Sequence, residues 1–220
     1  PAPVVLAGVT DALSRSEADH GVSTGLIVTF LRHLPAADAD RAYEAALATG
    51  VELLGIGLCS SEVGFPAAPF ADLYARARAD GLRTVAHAGE EGDASYVREA
   101  LDQLGAQRID HGINAMGDPA LVRDLAERQV PLTVCPLSNV RLKAVPALAR
   151  HPLPAMLDAG LLVSVNSDDP AYFGGYLDDN LAAVRDAFDL TPDQLATLAA
   201  NSIRSSFLPE SEKARLLAAG

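Results

Sequence analysis

The sequence predicts an α/β protein made of consecutive βα units, and within that class a (β/α)8 TIM barrel represented by six units. Six short apolar runs alternate with helical stretches, as in a parallel sheet connected by crossover helices. A polar or ionisable residue follows each run, at intervals of 29, 25, 24, 28 and 29 residues: His33, Glu62, His87, His111, Asn139 and Asp168. In a barrel all strand ends meet on one face, whereas a doubly wound sheet binds its ligand at one switch point. Because no glycine-rich phosphate loop marks such a point, the barrel is favoured.

The strands are predicted from short runs of β-branched and other apolar residues, such as GLIVTFL at 25–31. Such runs suit strands that are buried on both faces of a parallel sheet. In chain order the predicted strands are 25–31, 51–58, 82–86, 107–110, 130–135 and 161–165. A closed barrel needs eight strands and typically ~250 residues. We therefore expect further sequence, or pairing with another chain in a homo-oligomer, to cover the first and last of these strands.

The helices are predicted from amphipathic or alanine-rich stretches with start and stop residues at their ends. Pro35, Asp118 and Thr191 are typical helix-start signals, while Gly50 and Gly81 are typical stops. In chain order the predicted helices are 9–20, 37–49, 70–80, 95–104, 119–129, 152–159, 178–188, 192–201 and 209–219.

Composition restricts the class of protein. The 220 residues are 49% hydrophobic and 21% charged, and no linker divides 1–220, so we expect a single domain with a sizeable core. A net charge of −12 without a Lys/Arg cluster argues against a nucleic-acid partner. Cys59 and Cys135 lack the spacing of a disulfide framework or a cysteine zinc site. No run approaches the ~20 apolar residues of a membrane span, and the first residues show no basic leader. These features predict a cytoplasmic protein with no membrane partner.

Several strand ends carry residues that bind metal ions or transfer protons. The stretch TVAHAGEEG at 84–92 places His87 and Glu90 where a buried strand breaks into a loop. If the strand ends converge, this pair shares one cavity with His111, Asp168 and Asp169, and five titratable groups in one cavity are hard to explain as packing. Imidazole nitrogens and carboxylate oxygens are ligands of zinc or ferrous iron. The cluster therefore predicts a metal or catalytic site.

Four motifs together resemble the adenosine/adenine deaminase family of purine deaminases, within the amidohydrolase superfamily. They are HAGE at 87–90, RIDHG at 108–112, CPLSN at 135–139 and NSDDP at 166–170. The resemblance extends from about Gly25 to 207–210. The string NSDDPAYFGGY and the loop LCSSE look more like the adenine deaminase branch than like adenosine deaminase proper.

The resemblance implies an enzyme that deaminates a 6-aminopurine through a metal-activated hydroxide, most simply adenine to hypoxanthine plus ammonia. His87 and Asp168 would be ligands of one divalent metal ion, zinc or alternatively iron. Glu90 would donate a proton to purine N1, His111 would orient the attacking hydroxide, and Asp169 would hold the N7 edge.

The resemblance also gives Ser61 and Glu62 a role, at the purine edge that carries the sugar in a nucleoside. Among the other histidines, His33 either lines the cavity or packs in the core, and His151 is interpreted as a loop residue without chemistry.

The chain departs from the family pattern at Cys59, which replaces the acidic residue that often precedes the Ser-Ser-Glu loop, and in its histidine ligands. The family site also uses a His-x-His pair on its first strand, and none occurs here. The six strands would then correspond to the third through eighth of the family, so we expect a chain without its N-terminal ligand strand. Three alternatives stay open: a deaminase of adenosine or another N9-substituted 6-aminopurine, a catalytically inactive truncated purine-binding protein, and a hydrolase of another C–N bond.

Overall fold

The computed structural model describes residues 2–219, which form two compact units. The first unit contains 2–86 and 99–106, and the second contains 87–98 and 107–219. Each unit consists of parallel strands connected by helices. The predicted α/β class and the parallel strands in chain order are therefore confirmed, and the assignment of 1–220 to a single domain stays a prediction.

The first unit is organised around strands β1, β2 and the beginning of β3. Its elements are α1 (Ala2–His20), β1 (Ile27–Leu31), α2 (Ala36–Leu47), β2 (Gly55–Cys59), α3 (Ala71–Ala79) and the first residues of β3 (Arg83–Ala88). Ile27 pairs with Gly55, and Gly55 in turn pairs with Arg83. Ile56 and Leu58 on β2 are fully buried, so the core of this unit lies along the central strand.

The second unit contains the end of β3 and three further parallel strands. Its elements are α4 (Ala94–Asp102, which ends in the first unit), β4 (Arg108–His111), α5 (Pro119–Arg128), β5 (Leu132–Val134), α6 (Pro136–Arg141), α7 (Leu153–Asp158), β6 (Val163–Val165), α8 (Pro170–Phe173), α9 (Leu177–Phe188), α10 (Pro192–Ser205) and α11 (Glu210–Ala219). Leu132 pairs with Ile109 on one side and with Val163 on the other. All three are fully buried.

Helix starts follow the predicted capping residues. The Asp118 carboxylate accepts hydrogen bonds from the backbone N–H groups of Ala120 and Leu121 at the start of α5. Thr191 and Gln194 form a reciprocal capping box at the start of α10.

Two short helices, α6 and α8, were not predicted. Both begin with a proline at the first helical turn, Pro136 and Pro170. A proline after a strand was interpreted as a loop signal, although its fixed φ also suits the first turn of a helix. Among the described residues, no helix is both long and apolar enough to cross a membrane.

The bend after β3 depends on Gly89. This residue has φ +68°, and a Cβ there would lie 2.6 Å from Cγ2 of Val97. We expect Gly89→Ala to lower the free energy of unfolding by about 2 to 4 kcal/mol, from the left-handed conformation and the steric overlap. Gly160→Ala is the matched control, because Gly160 has φ +72° but nothing within 4 Å of its Cβ position. Urea unfolding should show a clearly smaller loss for the control; equal losses would exclude the overlap as the cause.

Candidate active site

The ends of β3 and β4 bring together three of the predicted site residues. His111 Nε2 lies 3.3 Å from His87 Nδ1 and 3.4 Å from Glu90 Oε2. The ligand atoms of all three residues lie within 4.8 Å of one another. This is the convergence that the parallel βα pattern predicts, since neighbouring parallel strands end at the same edge of a sheet.

A tight turn at the end of β4 fixes the orientation of His111. His111 has φ +69° and Gly112 has φ +70°, and a left-handed conformation is uncommon outside glycine. The Gly112 N–H donates to the carbonyl of Ala88 at 3.0 Å. The Asn114 side-chain amide donates to the carbonyls of Glu90 (2.9 Å) and Gly92 (2.8 Å). The loop that carries Glu90 is thus held by the turn that follows His111.

Two consecutive residues of α6 complete this cluster, although they were not predicted as site residues. Asn139 Nδ2 donates to Glu90 Oε1 at 2.8 Å and lies 3.2 Å from His111 Nδ1. Ser138 Oγ donates to Asp168 Oδ2 at 2.6 Å. Both side chains are completely buried. The polar residues after β5 were noted in the sequence, but the helix that aims them at the carboxylates was not predicted.

A cavity of about 410 Å³ lies beside this cluster. Its walls include His87, His111 and Asp168, together with Asp110 and Cys135. Asp168 has φ +58°, and its carboxylate lies with Cys135 Sγ and a His111 nitrogen in a second group whose atoms are within 4.8 Å. The two predicted metal ligands, His87 and Asp168, therefore line one cavity, and each is close to His111.

Asp110, in the motif RIDHG at 108–112, is a further cavity residue, and the sequence predicts no role for it. Its carboxylate accepts hydrogen bonds from Arg108 Nε (3.1 Å) and Thr133 Oγ1 (2.8 Å) and lies 4.0 Å from His87 Nε2. Burial raises the pKa of Asp110, but the charges of Arg108 and His87 and the Thr133 hydrogen bond outweigh burial and keep this pKa below its usual value. Asp110 therefore places a negative charge beside His87.

The remaining predicted site residues lie outside this cluster. Asp169 is exposed, and its side chain makes no capping hydrogen bond at the start of α8. Ser61 and Glu62 belong to the first unit, where Glu62 is 3% exposed and its Oε1 lies 3.8 Å from Arg32 Nη1. His33 is exposed in the same unit, 2.7 Å from Ser60 Oγ.

His151 is in a loop, as predicted, but it is only 3% exposed and takes part in the cluster. Its Nε2 lies 3.2 Å from Asn139 Oδ1, and its Nδ1 accepts a hydrogen bond from the Leu153 N–H at 3.1 Å. A histidine before a proline gives no sequence signal of this contact, because its partner is reached only in the folded unit.

Burial of His111 and His151 makes stability depend on pH. Burial lowers the pKa of His151 to about 4, and burial together with the charge of His87 lowers that of His111 to about 3. Between pH 6.5 and 4 the unfolded chain binds protons that the folded chain does not, so stability falls as the pH falls. We expect His151→Gln to remove about 3 kcal/mol of this loss, measured by urea unfolding at pH 7 and pH 4. His20→Gln, at an exposed histidine, is the control; an unchanged pH dependence in His151→Gln would contradict the argument.

The donor set fits a divalent metal ion. His87, Glu90 and His111 form one group of candidate ligands, and His111, Cys135 and Asp168 form another. Imidazole nitrogen and carboxylate oxygen are ligands of zinc and of ferrous iron.

The fold and this cluster define the class of protein. Residues 2–219 match the family model described as adenosine deaminase, so the chain belongs to this family. The chain is 55% identical over 215 residues to the adenine deaminase of Sphingopyxis alaskensis, covering 98% of this chain and 63% of that protein. It is 56% identical over 211 residues to the adenine deaminase of Streptomyces coelicolor, covering 96% of this chain and 62% of that protein. The chain thus spans less than two thirds of the length of these relatives.

Solved structures agree with this assignment. The crystal structure of adenine deaminase from Arthrobacter aurescens has a TM-score of 0.94 at 56% identity, covering 97% of this chain and 65% of that one. An amidohydrolase from Burkhoderia ambifaria with bound Zn has a TM-score of 0.93 at 30% identity, and the match covers 100% of this chain and 62% of that one. The predicted family and the predicted fold class, consecutive βα units of a barrel-type deaminase, are confirmed by these similarities.

Proposed function

We propose that the cluster around His111 catalyses hydrolytic deamination of a 6-aminopurine, with adenine as substrate and hypoxanthine and ammonia as products. The observation that carries the proposal is the convergence of His87, Glu90 and His111 beside a cavity that Asp168 also lines. The choice of adenine is supported by the relatives of 55% and 56% identity, which are named adenine deaminases.

The proposed reaction needs a proton donor at the ring and a nucleophile at C6. A new C6–O bond forms while the N1 atom of the purine takes a proton from Glu90. The C6–N6 bond then breaks as the amino group takes the proton of the new C6 hydroxyl and leaves as ammonia, and the ring keeps a C6 carbonyl. The other proton of the attacking water restores the Glu90 acid, so one water is consumed for each ammonia released. Asn139 donates to Glu90 Oε1 and so fixes the orientation of this carboxyl group.

A divalent metal ion, which we propose to be zinc, would be held by His87 and Asp168 and would lower the pKa of a water toward neutrality. Ser138 supports this role by holding Asp168 Oδ2 with a hydrogen bond. Asp110 supports it by placing a negative charge 4.0 Å from His87 Nε2, which favours the binding of a cation.

Substrate recognition rests on the family resemblance. We propose that Asp169 accepts a hydrogen bond at the N7 edge of the purine, and that Ser61 and Glu62 recognise the N9 edge. The exposed carboxylate of Asp169 is available for this contact. Cytoplasmic localisation and a homo-oligomer stay predictions.

The proposed substrate is tested by comparing rates on adenine and adenosine, followed by their absorbance changes, with the product of the complete gene and added zinc. We expect turnover of adenine and a kcat/KM for adenosine at least about 10²-fold lower, because a site built around a free N9 edge has no room for a sugar. Faster turnover of adenosine would exclude adenine as the preferred substrate.

A further inference from the structure

The hydrogen bonds around Asn139 have a fixed direction that begins at a backbone amide. The Leu153 N–H can only donate, so Nδ1 of His151, 3.1 Å away, must accept and carries no proton. His151 is therefore neutral, with its proton on Nε2. That nitrogen lies 3.2 Å from Asn139 Oδ1, which accepts the hydrogen bond.

The orientation of Asn139 then sets the tautomer of His111. Because Oδ1 faces His151, the Nδ2 amide group faces Glu90 Oε1 and His111 Nδ1, at 2.8 and 3.2 Å. An amide NH₂ group only donates, so His111 Nδ1 must accept and its proton is on Nε2. The opposite orientation of Asn139 is excluded, since it would require a proton on the His151 nitrogen that already accepts from Leu153.

We propose that His151 is a positioning residue, which acts through Asn139 to hold His111 as the Nε2–H tautomer, a hydrogen-bond donor toward the reacting atoms. His111 Nε2 lies 3.4 Å from Glu90 Oε2 and 3.3 Å from His87 Nδ1. A protonated Nε2 can donate to an oxygen that adds at C6 but cannot take a proton from it. The catalytic role of this tautomer rests on the proposed function, whereas the assignment of the tautomer to His111 rests only on the hydrogen bonds.

The burial of the three linked residues supports this role. Asn139 is completely buried, and His111 and His151 are 2% and 3% exposed. Water therefore does not compete for the hydrogen bonds that define the direction, and reversing it would leave a buried donor facing a donor. Asn139 makes a hydrogen bond to each of the two imidazole rings and so links His151 to His111.

The test is long-range ¹H–¹⁵N NMR of histidine-labelled gene product at pH 7, chelator-treated and again zinc-supplemented. Protonated and unprotonated ring nitrogens give separate ¹⁵N signals, so each tautomer is read directly. We expect His111 and His151 to show the Nε2–H form in both samples. An Nδ1–H form of His151 in the unmodified protein would overturn the proposal without any variant.

Three variants separate positioning from general stability. In His151→Leu, which cannot donate to Asn139, we expect averaged His111 signals and a kcat for adenine about 10- to 100-fold lower, with KM little changed. His151→Gln keeps a hydrogen-bond donor in the place of Nε2, so both the His111 signals and the kcat for adenine should return to those of the unmodified protein. Asn201→Leu, which removes a buried hydrogen bond to the Val163 carbonyl, is the stability control and should leave the His111 signals unchanged.

The outcomes distinguish this proposal from the proposed function. Unchanged His111 signals in His151→Leu would overturn the positioning role, even if the protein deaminates adenine. Failure of the unmodified protein to deaminate any purine, with the tautomers as expected, would overturn the proposed function and leave the tautomer assignment intact.

Discussion

Replacing Glu90 by glutamine is expected to lower kcat for adenine by about 10²- to 10⁴-fold in the complete gene product, the range that a general acid contributes. Glutamine has the same size as glutamate and can still accept the hydrogen bond from Asn139 Nδ2. It has no acidic proton to give to purine N1. The KM should change little, because the shape of the site is kept. Steady-state kinetics with adenine measure both constants.

Glu91 provides the matched control for this substitution. It is the next residue in the chain and is exposed, whereas Glu90 is half-buried beside His111. Glu91→Gln changes the charge by the same amount in the same loop, so we expect kcat to stay within about twofold of the unmodified protein. If Glu90→Gln retained full activity, the proton would have to come from another group and the role of Glu90 would be wrong.

Replacing His87 by alanine is expected to weaken zinc binding by at least about 10²-fold. Removal of a residue that only supports a metal ligand typically costs 10- to 100-fold, so loss of a ligand should cost at least as much. Calorimetric titration with zinc and the metal content after dialysis measure the loss.

His33→Ala is the control for nonspecific zinc binding by surface histidines. His33 is exposed in the first unit and contacts Ser60, so its removal should leave the tight site unchanged. Equal zinc affinity in His87→Ala and the unmodified protein would remove His87 from the set of ligands. Loss of affinity in His33→Ala instead would assign the metal to the first unit.

The βα units and the identity of the central residues could be predicted from the sequence because both depend on local patterns. Apolar runs mark the strands, and the residue at the end of each strand is placed by topology alone. His87, Glu90 and His111 were found in this way, and the structure places them within 4.8 Å of one another. Asp118 and Thr191 were predicted as helix caps from residue type and spacing, and both form the expected hydrogen bonds.

The contacts that orient these residues could not be predicted, because they join distant parts of the chain. Asn139 is 49 residues from Glu90 and 28 from His111, and the short helix α6 turns its side chain toward both. His151 acquires its role only because it is buried 3.2 Å from Asn139. The direction of these hydrogen bonds depends on the orientation of the Asn139 amide and of the histidine rings, and a pattern of residue types does not predict these orientations.

Purine deamination is tested most directly by a product analysis with adenine, zinc and the complete gene product. We predict one hypoxanthine and one ammonia for each adenine consumed, with activity lost on chelation, restored by zinc and lowered about 10²- to 10⁴-fold in Glu90→Gln. Absence of ammonia release from adenine and from every other 6-aminopurine under these conditions would contradict the assignment of this site to purine deamination.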